Sequence, residues 1–293
     1  MIRDFKYFWA ISRPINVLIS LMAFGVSCFI ANDHSPSFLR DKSFWAVATT
    51  IATIAATGYW INDVYDFRID RINKPHKTVV NAKLSVKKVL TVYFFVNGLI
   101  ALFSLWFFSI LYADYQITFI NITSMVLLFW YATHLKRTSV AGNLLIAFLI
   151  ALVILLAGYL YKLNIPLFWT LVFAFQITFI REITKDVEDI KGDLAYQLKT
   201  LPIIIGIRNT RYILLILYLL FILSCNLPLV YYYLRVEIFL WRYLLASILL
   251  VQIPMMYLIH MLAQASFPSD FGIQSRYLKY IMITGIITIL WLR

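Results

Sequence analysis

A chain of 293 residues with 62% hydrophobic and 14% charged residues and a mean hydropathy of +0.82 is too apolar for a soluble domain, in which about half the residues are apolar. Its formal charge of +12 is carried by short basic connections between apolar runs, the pattern of a membrane protein's cytoplasmic face, and this excludes nucleic acid as a partner. Its two cysteines, Cys28 and Cys225, lie inside apolar runs and exclude a disulfide framework or a thiolate metal site.

The predicted elements are nine helical spans of roughly 17–25 residues, the length that crosses a hydrocarbon core. In chain order they cover 13–31, 43–62, 88–108, 115–133, 140–161, 165–183, 211–233, 240–262 and 277–292. The basic start, Met1 to Arg13, runs into an apolar stretch too long for a cleavable leader, so none is expected. Pro14 suits the first turn of the first span, where a missing N–H costs nothing. Pro228 and Pro254 fall inside later spans, as lipid-embedded helices tolerate. With the N-terminus inside, the cytoplasmic segments carry 20 of the 26 Lys and Arg residues, which sets the orientation. Ser266 to Gly272 reads as a short polar cytoplasmic connection. No second soluble domain or long linker is visible, so residues 1–293 are expected to form one all-α transmembrane domain.

Span 2 ends in Asn62-Asp63-Val64-Tyr65-Asp66-Phe67-Arg68-Ile69-Asp70, and span 6 in Asp186-Val187-Glu188-Asp189-Ile190-Lys191-Gly192-Asp193. Both contain D-x2-D-x3-D. At about 100° per residue, the three acids of each set fall within about 60° of one another on a helix. Charged helix ends are commonly just solvated, but like charges at i,i+3 and i,i+4 repel unless a cation sits between them. With Glu182 one turn before the second, eight of the 14 acidic residues lie in or beside these two windows, and ionisable groups near a membrane interior mark a site. Carboxylates on adjacent turns suit Mg²⁺, which takes one or two carboxylates, water and substrate phosphate oxygens. Arg68, Arg71, Lys74 and Lys77 follow the first set, and Arg181, Lys185 and Lys191 surround the second. They divide between countering a departing phosphate and ordinary loop charge. A nucleotide enzyme is disfavoured because no G-x4-G-K-[S/T] cradle is present.

These residues resemble the UbiA superfamily of intramembrane prenyltransferases. Asn62 to Asp70 is similar to its N-D-x2-D-x3-D motif, and Asp186 to Asp193 to its second acidic motif, followed by Thr200-Leu201-Pro202 and Gly206. Arg13-Pro14 with Asn16, Asn73-Lys74-Pro75, Tyr131-x4-Lys136-Arg137 and Gly142-Asn143 extend the likeness over most of the chain. The resemblance implies nine helices around a central cavity and a polyprenyl diphosphate whose head is bridged by Mg²⁺ to both motifs. Ionisation of the allylic bond would release diphosphate, and an acceptor would attack the cationic carbon. It also implies Asp66, Asp70, Asp189 and Asp193 as the catalytic acids, with Asp63 and Asp186 completing the metal set and Asn62 beside them. Arg13, Lys77, Tyr131, Lys136 and Arg181 are implied for diphosphate or acceptor binding, and Tyr59, Trp60, Tyr65 and Tyr131 for the faces toward the cation. Many members carry Asn-x-Pro-x-Arg-Pro after the first motif; here Lys77 stands for the arginine and lacks its bidentate fork.

Two acceptor classes compete. A glycerol-phosphate lipid, as in the digeranylgeranylglyceryl phosphate synthase-like branch, would attack through a hydroxyl; an aromatic acceptor of quinone biosynthesis would be attacked at a ring carbon. The Arg-Pro-x-Asn opening and the Tyr-x4-Lys-Arg segment resemble the first branch slightly more. From another class, a cation-coupled transporter would use intramembrane acids, but its site would lie near the midplane on broken helices, whereas these acids sit at span ends. The expected location is the cell membrane with the site facing the cytoplasm. Faces toward lipid and toward a subunit are both apolar, so the sequence sets no oligomeric state.

Overall fold

The computed structural model describes residues 2–292, with the side chains of Ile2, Arg3 and Lys77 outside the description. Among the described residues the chain is all helical, apart from one isolated bridge between Val80 and Leu84. It forms two compact units, residues 1–21, 37–145 and 191–198 in the first and 22–36, 146–190 and 199–293 in the second.

The first unit holds α1 (Ile2–Ile11), the start of α2 (Pro14–Ala31), α3 (Lys42–Asn73), α4 (Val86–Ser104) and α5 (Tyr115–Thr133). Asp41 opens α3 by accepting a hydrogen bond from the Ser43 N–H at 2.8 Å. At 1.5 Å per residue its 32 residues span about 48 Å, against about 30 Å of hydrocarbon. The excess of about 18 Å matches about twelve residues, the stretch from Asn62 to Asn73. The first acidic motif is therefore a continuation of the helix beyond the expected end at 62. α3 packs against α4 and α5. Polar side chains join helices inside these apolar packings: Thr57 donates to Asn97 at 3.3 Å, and Asn121 to Ser104 at 3.1 Å. Such pairs hold helices together where lipid gives no hydrophobic drive. Between α3 and α4 the chain tucks Val80 and Leu84 against Ile11, Val64 and Val89. That small core fixes α1 beside the acidic end of α3.

The second unit is built on α7 (Ile165–Glu188), with the later part of α6 (Ala141–Leu160), α9 (Leu201–Ser224), α10 (Leu227–Val236), α11 (Trp241–Ser247), α12 (Ile253–Gln264) and α13 (Pro268–Ile289). The six-residue α8 (Ile190–Ala195) falls mostly in the first unit. α9 and α13 pack on α7. α9 is kinked at Gly206, whose φ of 82° is open to glycine and strained for other residues. Tyr218 of α9 donates to Gln274 of α13 at 3.2 Å, with both side chains buried.

Eight helical runs among the described residues are long and apolar enough to cross a membrane. The span expected at 211–233 lies within the continuous run Leu201–Val236, and that at 240–262 within Trp241–Gln264. The span expected at 277–292 begins earlier, at Pro268, and is not one of the eight. Its first half carries Asp270, Gln274, Arg276 and Lys279, which lowers its apolarity, while Phe271, Gln274, Leu278 and Ile281 are buried. Ser266 to Gly272 is correspondingly a helix start. The Asp270 carboxylate accepts from the Ser266 and Phe267 N–H groups at 2.9 Å each, and these backbone donors hold its pKa below the usual carboxylate value.

Asn164 anchors the second unit. Its side chain accepts from the Leu167 N–H at 3.0 Å, capping α7, and donates to the Ile30 carbonyl at 3.0 Å. Asn164→Ala is expected to remove both bonds and destabilise the protein by about 1–2 kcal/mol. Denaturant-induced unfolding in detergent measures this; an unchanged midpoint would refute the anchoring role.

Candidate functional site

The first unit places Asn62, Asp63, Asp66 and Asp70 on the last turns of unbroken α3, so the predicted single stripe exists there. Asp66 is only 4% exposed. Its Oδ2 accepts from the Asn62 side-chain amide at 2.7 Å and from the Lys136 ammonium, which reaches it from the short turn Leu135–Arg137 after α5. Asp63 accepts from the Arg13 guanidinium at 2.6 Å. Arg13 stands between α1 and α2 with φ of 49°, a left-handed conformation that costs a non-glycine residue about 1–2 kcal/mol. The cost is offset by what it reaches: the Asp63 carboxylate and the face of Tyr59, 4.8 Å from the ring centroid.

These contacts explain why both cations keep their protons. Burial disfavours the charge on Arg13, and Asp63 with Tyr59 more than offsets it, leaving the group above its ordinary pKa. Burial likewise disfavours the charge on Lys136, and Asp66 followed by Tyr131 reverses the balance. Tyr131 and Asp70 are half-buried in the same unit, and Asp193 is buried there on α8. The side chain expected at Lys77 lies outside the described residues. Of the aromatic candidates, Tyr59 backs Arg13, Trp60 donates to the Ser12 hydroxyl at 2.8 Å, and Tyr65 sets its edge against Phe129.

The second acidic set departs from the expected stripe. α7 stops at Glu188, Asp189 caps it with φ −91° and ψ 5°, and a new helix starts at Ile190. Asp186 and Asp189 stay with the second unit while Asp193 belongs to the first. Gly192 is a weak helix former, and its N–H is taken by the Asn73 side-chain oxygen at 2.7 Å. Within the second unit, Arg181 donates to Glu182 at 3.0 Å and Lys185 to the other oxygen of Glu182 at 2.8 Å. Arg181, expected to bind substrate, is thus tied to a carboxylate, with its Nε buried and without a hydrogen-bond partner. Glu182 as the bridge between two cations, and Asn73, were not among the expected site residues; the only signal for Asn73 was its place in the Asn-Lys-Pro run.

The donor set suits a hard cation. Among the described residues no three His, Cys, Asp or Glu side chains converge as a complete protein cage, and Mg²⁺ needs none, because water and phosphate oxygens fill most of its shell. The Asn62 Oδ1 is buried with no partner beside Asp66. Ammonium and guanidinium groups already neutralise the carboxylates that a metal ion would neutralise.

A model of the UbiA prenyltransferase family matches residues 18–271. The chain is 31% identical over 280 residues to a digeranylgeranylglyceryl phosphate synthase of Methanosphaera stadtmanae, covering 95% of this chain and 96% of the relative. Its fold is similar to a structure described as giving insight into digeranylgeranylglyceryl phosphate synthase in membranes, with a TM-score of 0.70, 24% identity and coverage of 99% and 98%. It is also similar to a UbiA homologue of Archaeoglobus fulgidus bound to GPP and Mg²⁺, with a TM-score of 0.64, 16% identity and coverage of 95% and 99%.

Lys136→Met would leave Asp66 buried without its counter-charge, and breaking one side of such a pair costs about 3–5 kcal/mol. Thermal unfolding in detergent with chelator is expected to reveal that loss, and added Mg²⁺ to restore part of it. A variant as stable as the parent in chelator would sink the buried-pair account.

Proposed function

We propose, from the premise that the chain belongs to the UbiA prenyltransferase family, that it transfers a prenyl group from a polyprenyl diphosphate to a glycerol-phosphate lipid of the geranylgeranylglyceryl phosphate kind, releasing diphosphate. The observation that carries the site is Asp66, a buried carboxylate held between the Asn62 amide and the Lys136 ammonium, next to the Arg13–Asp63 pair. A lipid acceptor is supported by the relative from Methanosphaera stadtmanae, matched over nearly its whole length. An aromatic acceptor is the outcome that would displace it.

In this reading Asp63, Asp66, Asp70, Asp186, Asp189 and Asp193 are the carboxylates for Mg²⁺, and Asn62 turns its free amide oxygen to the same purpose. The ion supplies charge stabilisation on the departing diphosphate. Lys136 and Arg13, already held charged by Asp66 and Asp63, would donate to phosphate oxygens of the substrate. Lys77 and Arg181 add positive charge, and Tyr131 gives an aromatic face near the reacting carbon. The apolar helices exclude water, which would otherwise capture the cationic carbon. The acceptor hydroxyl oxygen forms the new C–O bond at the carbon that loses diphosphate, and its proton leaves to solvent or phosphate.

We place the N-terminus and both acidic motifs on the cytoplasmic side of the cell membrane, supported by the 20 of 26 Lys and Arg residues in the segments that share that side. α13 is the ninth span and residues 1–293 act as one prenyltransferase domain, with helix length in α13 compensating for its polar first half.

Purified protein given labelled geranylgeranyl diphosphate is expected to release diphosphate only with Mg²⁺ and to label geranylgeranylglyceryl phosphate. Asp66→Ala and Asp189→Ala are each expected to lower turnover by about 10²–10³-fold, as loss of one charge-stabilising group does. Labelling of aromatic acids alone would overturn the acceptor assignment. Ion flux in proteoliposomes without any release would overturn the enzyme reading.

A further inference from the structure

Asp193 is 3% exposed and sits on a helix of six residues, far below the roughly 12–15 residues at which an isolated helix becomes even marginal. Its position must therefore be set by a tertiary contact. Gly192 is the third residue of α8, and its N–H is one of the leading donors that a helix cannot satisfy internally. That N–H donates to the Asn73 Oδ1 at 2.7 Å, across 119 residues of sequence. The approach is close enough that a Cβ on Gly192 would fall 2.5–2.8 Å from the three outer atoms of the Asn73 amide. A side chain at position 192 would therefore press on the amide that accepts the bond.

Asn73 is itself held firmly. It is the last residue of α3, three positions beyond Asp70, and the following Lys74 N–H still bonds the Asp70 carbonyl at 2.7 Å. Pro75 then prevents the helix from continuing. A short rigid path results: Asp70, one turn of α3, the Asn73 amide, the Gly192 N–H, and Asp193 as the next residue. Both ends of the path lie in the first unit.

We propose that Asn73 is a positioning residue that caps α8 from the end of α3 and sets the place of Asp193 relative to Asp70. Its role is to act through the backbone of Gly192 rather than by contact with substrate or metal. The proposal rests on the assignment of Asp70 and Asp193 to the Mg²⁺–diphosphate site. It explains why the second acidic motif carries glycine immediately before its last acid in this chain, and why the helix of that motif is broken.

The test compares Asn73→Leu, which keeps side-chain size and loses the acceptor oxygen, with Asn73→Asp, which keeps an acceptor. Hydrogen–deuterium exchange over residues 191–194 reads the contact without reference to catalysis. Exchange is expected to accelerate about tenfold or more in Asn73→Leu, the effect of losing one hydrogen bond, and to stay near parental in Asn73→Asp. In the same Asn73→Leu protein the Mg²⁺ concentration for half-maximal diphosphate release is expected to rise about tenfold, with KM for prenyl diphosphate at saturating Mg²⁺ little changed. Unaltered exchange in Asn73→Leu overturns the cap. Faster exchange with unaltered Mg²⁺ dependence overturns the positioning role and leaves a purely structural bond. If the parental protein releases no diphosphate from any prenyl diphosphate, the functional reading fails instead, and exchange at residues 191–194 still decides whether Asn73 holds α8.

Discussion

A carboxylate removed from water needs a counter-charge, and the first unit is arranged to supply two. Asp63 and Asp66 lie on consecutive turns of α3, where mutual repulsion alone would disfavour the helix. Arg13 and Lys136 meet them from positions 50 and 70 residues away in sequence. Several other features serve that meeting. The small core of Ile11, Val64, Val80, Leu84 and Val89 holds α1 against α3. The left-handed backbone at Arg13 turns its side chain toward Asp63 and Tyr59. The turn at Leu135–Arg137 places the ammonium of Lys136 at Asp66. A buried pair of this kind contributes little net stability, and its value lies in fixing where the charges stand.

The same constraint explains why these residues suit a metal-assisted departure of diphosphate. Groups that are already paired can exchange partners without leaving a bare charge at any stage. In the proposed reading, a cation held by Asp63 and Asp66 would free donors on Arg13 and Lys136 for the oxygens of a polyanion. The charge balance is kept throughout, in a region where an unbalanced charge is expensive. The Arg181–Glu182–Lys185 cluster of the second unit follows the same rule, with one carboxylate between two cations.

Much of this was legible from residue spacing. Long apolar runs separated by basic connections can only be membrane helices, because backbone polar groups in lipid must be satisfied within a helix or a closed barrel. The D-x2-D-x3-D pattern placed Asp63, Asp66 and Asp70 on one face, since helix geometry is local and repeats every turn. The same argument failed for Asp186, Asp189 and Asp193. A period holds only while the helix holds, and here the helix stops at Asp189 and the Gly192 N–H of the next helix bonds Asn73 instead. α13 was misjudged at its start for a related reason: Asp270 reads as a polar connection in sequence, but its carboxylate caps a helix by accepting two backbone N–H groups.

The sequence by itself determined the membrane class, the helical architecture and the two acidic windows, because each follows from composition or from a local period. Only the tertiary structure decided which base neutralises which acid, where the second motif breaks, and which unit each of its acids joins. Those choices depend on contacts between Arg13 and Asp63, Lys136 and Asp66, and Asn73 and Gly192. Residues 50 to 119 positions apart are brought together by packing, and no local period records such a contact.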